Sequence, residues 1–218
     1  WPLFRKTSCP FSHFSFIFPV MTSSNSTLPE MHPVPGLRLG TTCAGIKKPN
    51  HRDLVVMELC EGTTVAAVFT RNAFCAAPVI VARDHLDKQT PQYLLINTGN
   101  ANAGTGEQGM KDALRCCDAL AQAASCAREA VLPFSTGVIG EPLPVDAISA
   151  ALPAAFSALD ENAWADAAHG ILTTDTVPKG ASVKLEIDGH TVTVTGISKG
   201  SGMIRPDMAT MLAYIATD

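Results

Sequence analysis

Two alternating runs, residues 182–187 (SVKLEI) and 191–197 (TVTVTGI), flank the pair Asp188-Gly189, and no other stretch constrains the fold as tightly. An Asp-Gly pair between period-two strands predicts a two-residue β-hairpin, whose central residues must both take positive φ. The second strand then runs back antiparallel beside the first and delivers Lys199 to the segment that follows. That segment is KGSGMIRPDMATMLAYIATD, residues 199–218.

Glycines let this backbone pass close to a ligand or a partner strand, and Pro206 fixes a turn. The Ala209-Thr210 peptide puts a hydroxyl one bond from an unhindered carbonyl. Two readings stand. In one, Thr210 Oγ attacks the Ala209 carbonyl and the ester hydrolyses, so that Thr210 becomes a new N-terminus carrying both a nucleophile and its own base. Its free α-amine would titrate near pH ~8. In the other, KGSGM is a Gly-rich turn and ATMLAYIA is a buried strand that begins with Thr.

Upstream, residues 53–59 (DLVVMEL) and 63–70 (TTVAAVFT) read as a hairpin about Glu61-Gly62. Residues 77–86 fit a strand passing into a helix, and residues 91–98 (PQYLLINT) a buried strand. The strand enters GNANAGTG, residues 99–106. Its Asn amides and backbone N–H groups either face a ligand ahead of a helix near Glu107 or simply permit unusual backbone angles. An amphipathic helix is expected over residues 108–126, with Met110, Ala113, Leu114, Cys117, Leu120 and Ala124 on one face. A strand over 130–134 leads into STGVIG, residues 135–140. Helices follow over 144–159 and 161–172, and TTDT, residues 173–176, comes next. Strands alternating with helices, and hairpins among them, predict a layered α/β fold with a mixed sheet.

STGVIG offers a hydroxyl and a Gly N–H that suit a developing oxyanion, or a plain strand end turning into a helix. The TTDT hydroxyls and carboxylate suit a polar amino-acid ligand, or a helix cap and turn. Asp175 has no chemistry assignable from its spacing. Cys116 and Cys117 point about 100° apart on a helix, which favours core packing over shared metal binding.

A formal net charge of -4 and no Lys/Arg run argue against nucleic acid or an anionic membrane as partner. Seven Cys in scattered positions show no metal or disulfide spacing, and the six His form no zinc pattern. No metal and no cofactor are expected, and GNANAGTG does not match a dinucleotide fingerprint. Free thiols fit a reducing, cytoplasmic location. Residues 1–20, rich in Phe and Pro, differ from the rest and are expected to be an upstream or non-native extension, with residues 21–35 a flexible polar lead.

Taken together and in order, GNANAGTG, STGVIG, TTDT and KGSGM through ATML resemble the ornithine acetyltransferase family, the bifunctional glutamate N-acetyltransferase and amino-acid acetyltransferase of arginine biosynthesis. The resemblance covers about residues 36–218. It implies two mixed β-sheets layered between helices, similar in architecture to N-terminal nucleophile enzymes. It implies self-cleavage between Ala209 and Thr210, with Thr210 as nucleophile and substrate contact, Thr136 and Gly137 as the oxyanion hole, and Thr173 and Lys199 as substrate-binding residues. N-acetylornithine and glutamate would be the substrates, with acetyl-CoA open as a second acetyl donor. The partners implied are the protein's own β chain after cleavage and a higher oligomer of αβ units. On this reading residues 36–209 are the α part, residues 210–218 begin the β part, and the rest of the β part lies downstream. A self-processing aminopeptidase and a noncatalytic amino-acid binding domain are the alternatives.

Overall fold

Leu54, Val55, Val56 and Met57 are all buried, and a strand buried on both faces needs a layer on each side. In the computed structural model, which describes residues 27–201 and 211–218, this run is β2 (Leu54–Leu59). Antiparallel partners lie on both its edges, β1 (Leu37–Thr42) and β3 (Tyr93–Asn100). Parallel to β3 lies β4 (Val131–Val138), which closes a mixed four-stranded sheet in the order β1-β2-β3-β4.

One face carries Leu54, Val56, Tyr93, Leu95 and Val131 against three helices. These are α1 (Ala77–Lys88), α2 (Gly106–Ala124) and α3 (Val145–Ser157). Cys116 and Cys117 are both free and buried in this layer. Burial pushes the Cys116 thiol up to about 12 and the Cys117 thiol higher still, so both are inert packing groups.

The opposite face carries Val55, Met57 and Ile96, and covers a second core around the fully buried Trp164 of α4 (Trp164–Gly170). Ile197 and Tyr214 close this core from a second sheet. That sheet is wholly antiparallel, with β6 (His190–Lys199) between β5 (Lys179–Ile187) and β7 (Leu212–Thr217). The hairpin expected around Asp188-Gly189 forms, with φ of 51° and 80° at its two central residues.

Three expectations are corrected. No hairpin joins residues 53–59 to 63–70, because β1 and β3 already occupy both edges of β2. Residues 63–70 take no regular secondary structure. Residues 77–86 are helical from the first residue. Pro sits at the start of α1, and Val81, Ala82 and His85 are buried, with His85 Nδ1 2.7 Å from the Val131 carbonyl of β4. The polar lead expected to be flexible is anchored in its described part. Val34 is buried, Leu28 and Met31 pack on the second core, and the His32 N–H donates to Ser182 Oγ at 3.0 Å. Residues 1–20 lie outside the described residues.

Candidate active site

The site lies between the two sheets, and strand alternation puts it there. On β4, Phe134 faces the second core; Thr136, two residues on, shares its face and is buried. On β6, Thr193, Thr195, Ile197 and Lys199 are buried in alternation. Lysine is almost never fully buried without partners, yet Lys199 is only 4% exposed. Its partners come from two other elements. Lys199 Nζ donates to Thr136 Oγ1 at 2.8 Å and to Thr173 Oγ1 at 2.9 Å.

This arrangement fixes the direction of the Thr136 hydroxyl. An ammonium only donates, so Thr136 Oγ1 accepts from Lys199 and keeps its own proton to give elsewhere. Beside it, Gly137 has φ 137°, and a Cβ there would come within 2.3 Å of the Gly99 carbonyl carbon and 2.6 Å of the Asn100 nitrogen. Glycine is required by both the angle and the space. Gly137→Ala is therefore expected to force β3 and β4 apart at the Gly99-Asn100 bulge. It should cost at least about 2 kcal/mol, seen as a lower denaturant midpoint in equilibrium unfolding.

The segment after α4 lies along the end of β6 residue by residue. Thr173 meets Lys199, Thr174 Oγ1 lies 3.3 Å from Ser201 Oγ, and Asp175 Oδ1 accepts the Gly200 N–H at 2.8 Å. The same Asp175 oxygen accepts Lys179 Nζ at 2.6 Å. Burial works to raise the Asp175 pKa, but the hydrogen bonds from Lys179 and Gly200 and the charges of Lys179 and Lys199 bring it below the ordinary value. Asp175 is thus a carboxylate. Burial drives the Lys199 pKa down and Lys179 adds to that, whereas the Asp175 charge opposes it, and the balance lies below the usual lysine value.

The GNANAGTG loop braces the site with its own amides. Asn100 Nδ2 donates to the Pro142 carbonyl at 3.0 Å, and Asn102 Nδ2 to the Gly109 carbonyl at 2.8 Å. Asn100 Oδ1 accepts the Asn102 N–H at 2.8 Å, and Asn97 Nδ2 donates to the Asn100 carbonyl at 2.8 Å. These contacts hold the β3 end against which Gly137 rests. The loop from residue 44 to 47 covers the other side of Gly99, where Asp53 accepts the Ala44 and Ile46 N–H groups at 2.5 and 2.7 Å.

Of the residues singled out in the sequence, Thr136, Thr173 and Lys199 come together, and Gly137 adjoins them. Ala209 and Thr210 lie outside the described residues. Downstream of them Leu212 is paired directly with Lys199. Asp175 was not assignable from spacing, and Asp53 stood only as the first residue of an expected strand. The signal for Asp175 was its place within TTDT, but only the fold reveals that it meets Gly200. Among the described residues no group of three or more His, Cys, Asp or Glu is placed to hold a metal ion. Nor is any described helix long and apolar enough to cross a membrane.

A family model described as the ArgJ family matches residues 38–218. The arginine biosynthesis bifunctional protein ArgJ of Pseudomonas syringae pv. tomato is 63% identical over 191 residues, 88% of this chain and 47% of that protein. Its counterpart from Pseudomonas fluorescens is 60% identical over the same share of each. The chain spans about half the length of these curated relatives. Among solved structures, arginine biosynthesis bifunctional protein argJ from Bacillus halodurans superposes with a TM-score of 0.74 at 34% identity, covering 82% of this chain and 92% of that one. Ornithine acetyltransferase from Mycobacterium tuberculosis, solved with ornithine, gives a TM-score of 0.75 at 32% identity, covering 87% of this chain and 98% of that one.

Proposed function

The chain belongs to the ArgJ family, and from that premise we propose that it is the N-terminal portion of a cytoplasmic, self-processing acetyltransferase that moves an acetyl group from N-acetylornithine to glutamate. The observation that carries this reading is the buried Lys199, shared between the Thr136 and Thr173 hydroxyls at 2.8 and 2.9 Å. It leaves the Thr136 proton free to meet an oxyanion.

In the proposed sequence, Thr210 Oγ first attacks the Ala209 carbonyl. The peptide C–N bond breaks, and water then cleaves the resulting ester, leaving Thr210 with a free amine. That amine takes the hydroxyl proton as Thr210 Oγ attacks the acetyl carbonyl of N-acetylornithine. Negative charge collects on the carbonyl oxygen, where the Thr136 hydroxyl and the Gly137 N–H are the proposed donors. Ornithine leaves as the amine, carrying the proton. The amine of glutamate then attacks the acetyl ester on Thr210, the ester C–O bond breaks to release N-acetylglutamate, and the proton lost by the glutamate nitrogen passes through the Thr210 amine back to Thr210 Oγ. Lys199 and Thr173 orient the substrate and the Thr136 hydroxyl. The downstream polypeptide completes the site, in an oligomer of αβ units. The ornithine in the Mycobacterium tuberculosis structure supports an ornithine-class substrate here, and acetyl-CoA is the second donor to test.

Intact mass spectrometry of the full-length protein incubated with N-acetylornithine tests this directly. The expected result is two chains, one beginning at Thr210 and heavier by one acetyl group, with the label lost on adding glutamate. Two chains that hydrolyse peptides and never take up acetyl would indicate an aminopeptidase instead.

A further inference from the structure

The Asp175 side chain has no exposed surface, and an enclosed carboxylate costs several kcal/mol unless its charge is compensated. Both of its hydrogen bonds, from Lys179 Nζ and the Gly200 N–H, go to Oδ1. Oδ2 is buried and has no hydrogen-bond partner among the described residues. An asparagine in the same place would accept both bonds through its amide oxygen without bringing a charge inside. The charge itself answers two cations: Lys179, ion-paired to Oδ1 at 2.6 Å, and the buried Lys199, which bonds to Thr173 two residues back on the same segment. Among the described residues, Lys199, next to Gly200 in the chain, has only neutral hydroxyls as hydrogen-bond partners.

We propose that Asp175 is a positioning residue of the acetyl-transfer site, pinning the Gly200 amide where the chain leaves β6 and supplying the negative charge that keeps Lys199 an ammonium. The second function matters because only the ammonium must donate to Thr136 Oγ1. A neutral amine can accept the Thr136 proton instead and take it away from the oxyanion. Among the described residues, the charges that act on Lys199 come from two elements. Asp175, on the segment after α4, holds its proton on, while Lys179, at the start of β5, opposes it together with burial. The groups from β4 and from residue 173 are the uncharged hydroxyls of Thr136 and Thr173.

This inference rests on the acetyl-transfer reading for its catalytic consequence and, for its electrostatic one, on the register that lays residues 173–175 along residues 199–201, so the test has two arms. In the full-length protein, trace labelling of lysines with propionic anhydride across pH, read by peptide mass spectrometry, follows the neutral fraction of Lys199. Asp175→Asn should move its labelling midpoint to lower pH, and Lys179→Met should move it to higher pH. Loss of a merely structural clamp would move both variants the same way or neither. In the second arm, the kcat for acetyl transfer of Asp175→Asn should fall by roughly tenfold or more at alkaline pH and recover toward wild type on acidification, with KM little changed. A Lys199 midpoint unchanged in Asp175→Asn, or a kcat lost equally at every pH, overturns the proposal. Should Asp175→Asn fail to fold, Lys179→Met decides, since a midpoint that does not rise has the same consequence. Wild-type protein that transfers no acetyl group would refute the acetyl-transfer reading, while the labelling arm still decides the role of Asp175.

Discussion

Replacing Thr210 with alanine in the full-length protein is expected to leave a single uncleaved polypeptide that transfers no acetyl group, while Thr210→Ser should keep a reduced rate of both reactions. Cleavage needs a side-chain nucleophile on the residue after the scissile bond. On the proposed mechanism, transfer needs the same hydroxyl beside the amine that cleavage releases, so one atom would serve two reactions. Alanine removes it from both. Serine keeps the oxygen but lacks the methyl group that restricts χ1, so its hydroxyl spends less time aligned for attack. The described chain resumes just after it with β7, which pairs Leu212 with Lys199, and Lys199 bonds to Thr136. Electrophoresis reads cleavage and a coupled assay reads transfer. If Thr210→Ala runs as one band yet still transfers acetyl, the nucleophile lies elsewhere. A wild-type protein that transfers while uncut would separate the two reactions altogether.

How far the sequence disclosed this site depended on whether its signals were local. Asp188-Gly189 forms the turn that its two positive φ values require, and the hairpin brings Lys199 to the segment that follows, but the alternation of Val192 and Val194 with threonines did not mark the face of Thr193, Thr195 and Lys199 as the buried one. Thr136 was marked by the STGVIG block and its resemblance, since the strand expected over 130–134 stops short of it, whereas β4 runs on to Val138. What sequence could not supply was partnership between distant segments. DLVVMEL and TTVAAVFT look equally like strands, but β2 finds its partners in β1 and β3, a tertiary competition that local propensity does not register. Asp175 was visible within TTDT but without a role for the same reason, as its contact with Gly200 depends on residues 173–175 lying along the end of β6. The asparagines of GNANAGTG were legible as special but not in role. Their amides satisfy carbonyls of the chain itself, at Pro142 and Gly109, and so serve to shape the β3 end.

Lys199→Met is expected to separate stability from activity in one substitution. Methionine fills a similar volume without a charge, so the inter-sheet core keeps its packing. Transfer should fall by roughly 10²–10³-fold, the effect of losing one organised oxyanion donor, since Thr136 loses the cation that orients it. Stability should move the other way. Burial lowers the pKa of Lys199 in the folded protein below its ordinary 10.5, so in the interval between the two values the unfolded chain binds the more protons. By linkage, the lysine then costs stability at every pH below its folded pKa. That cost shrinks as pH rises through the folded pKa, and it vanishes above the ordinary value. Methionine carries no such cost. The variant should therefore unfold at higher denaturant than wild type at pH 6–8, and the gap should close as pH approaches 10.5. Proteins commonly give up stability in this way to hold a charged group in a functional site. A variant less stable than wild type at neutral pH would show that Lys199 is held for the fold by its two threonine bonds, and retention of full turnover would remove it from the site.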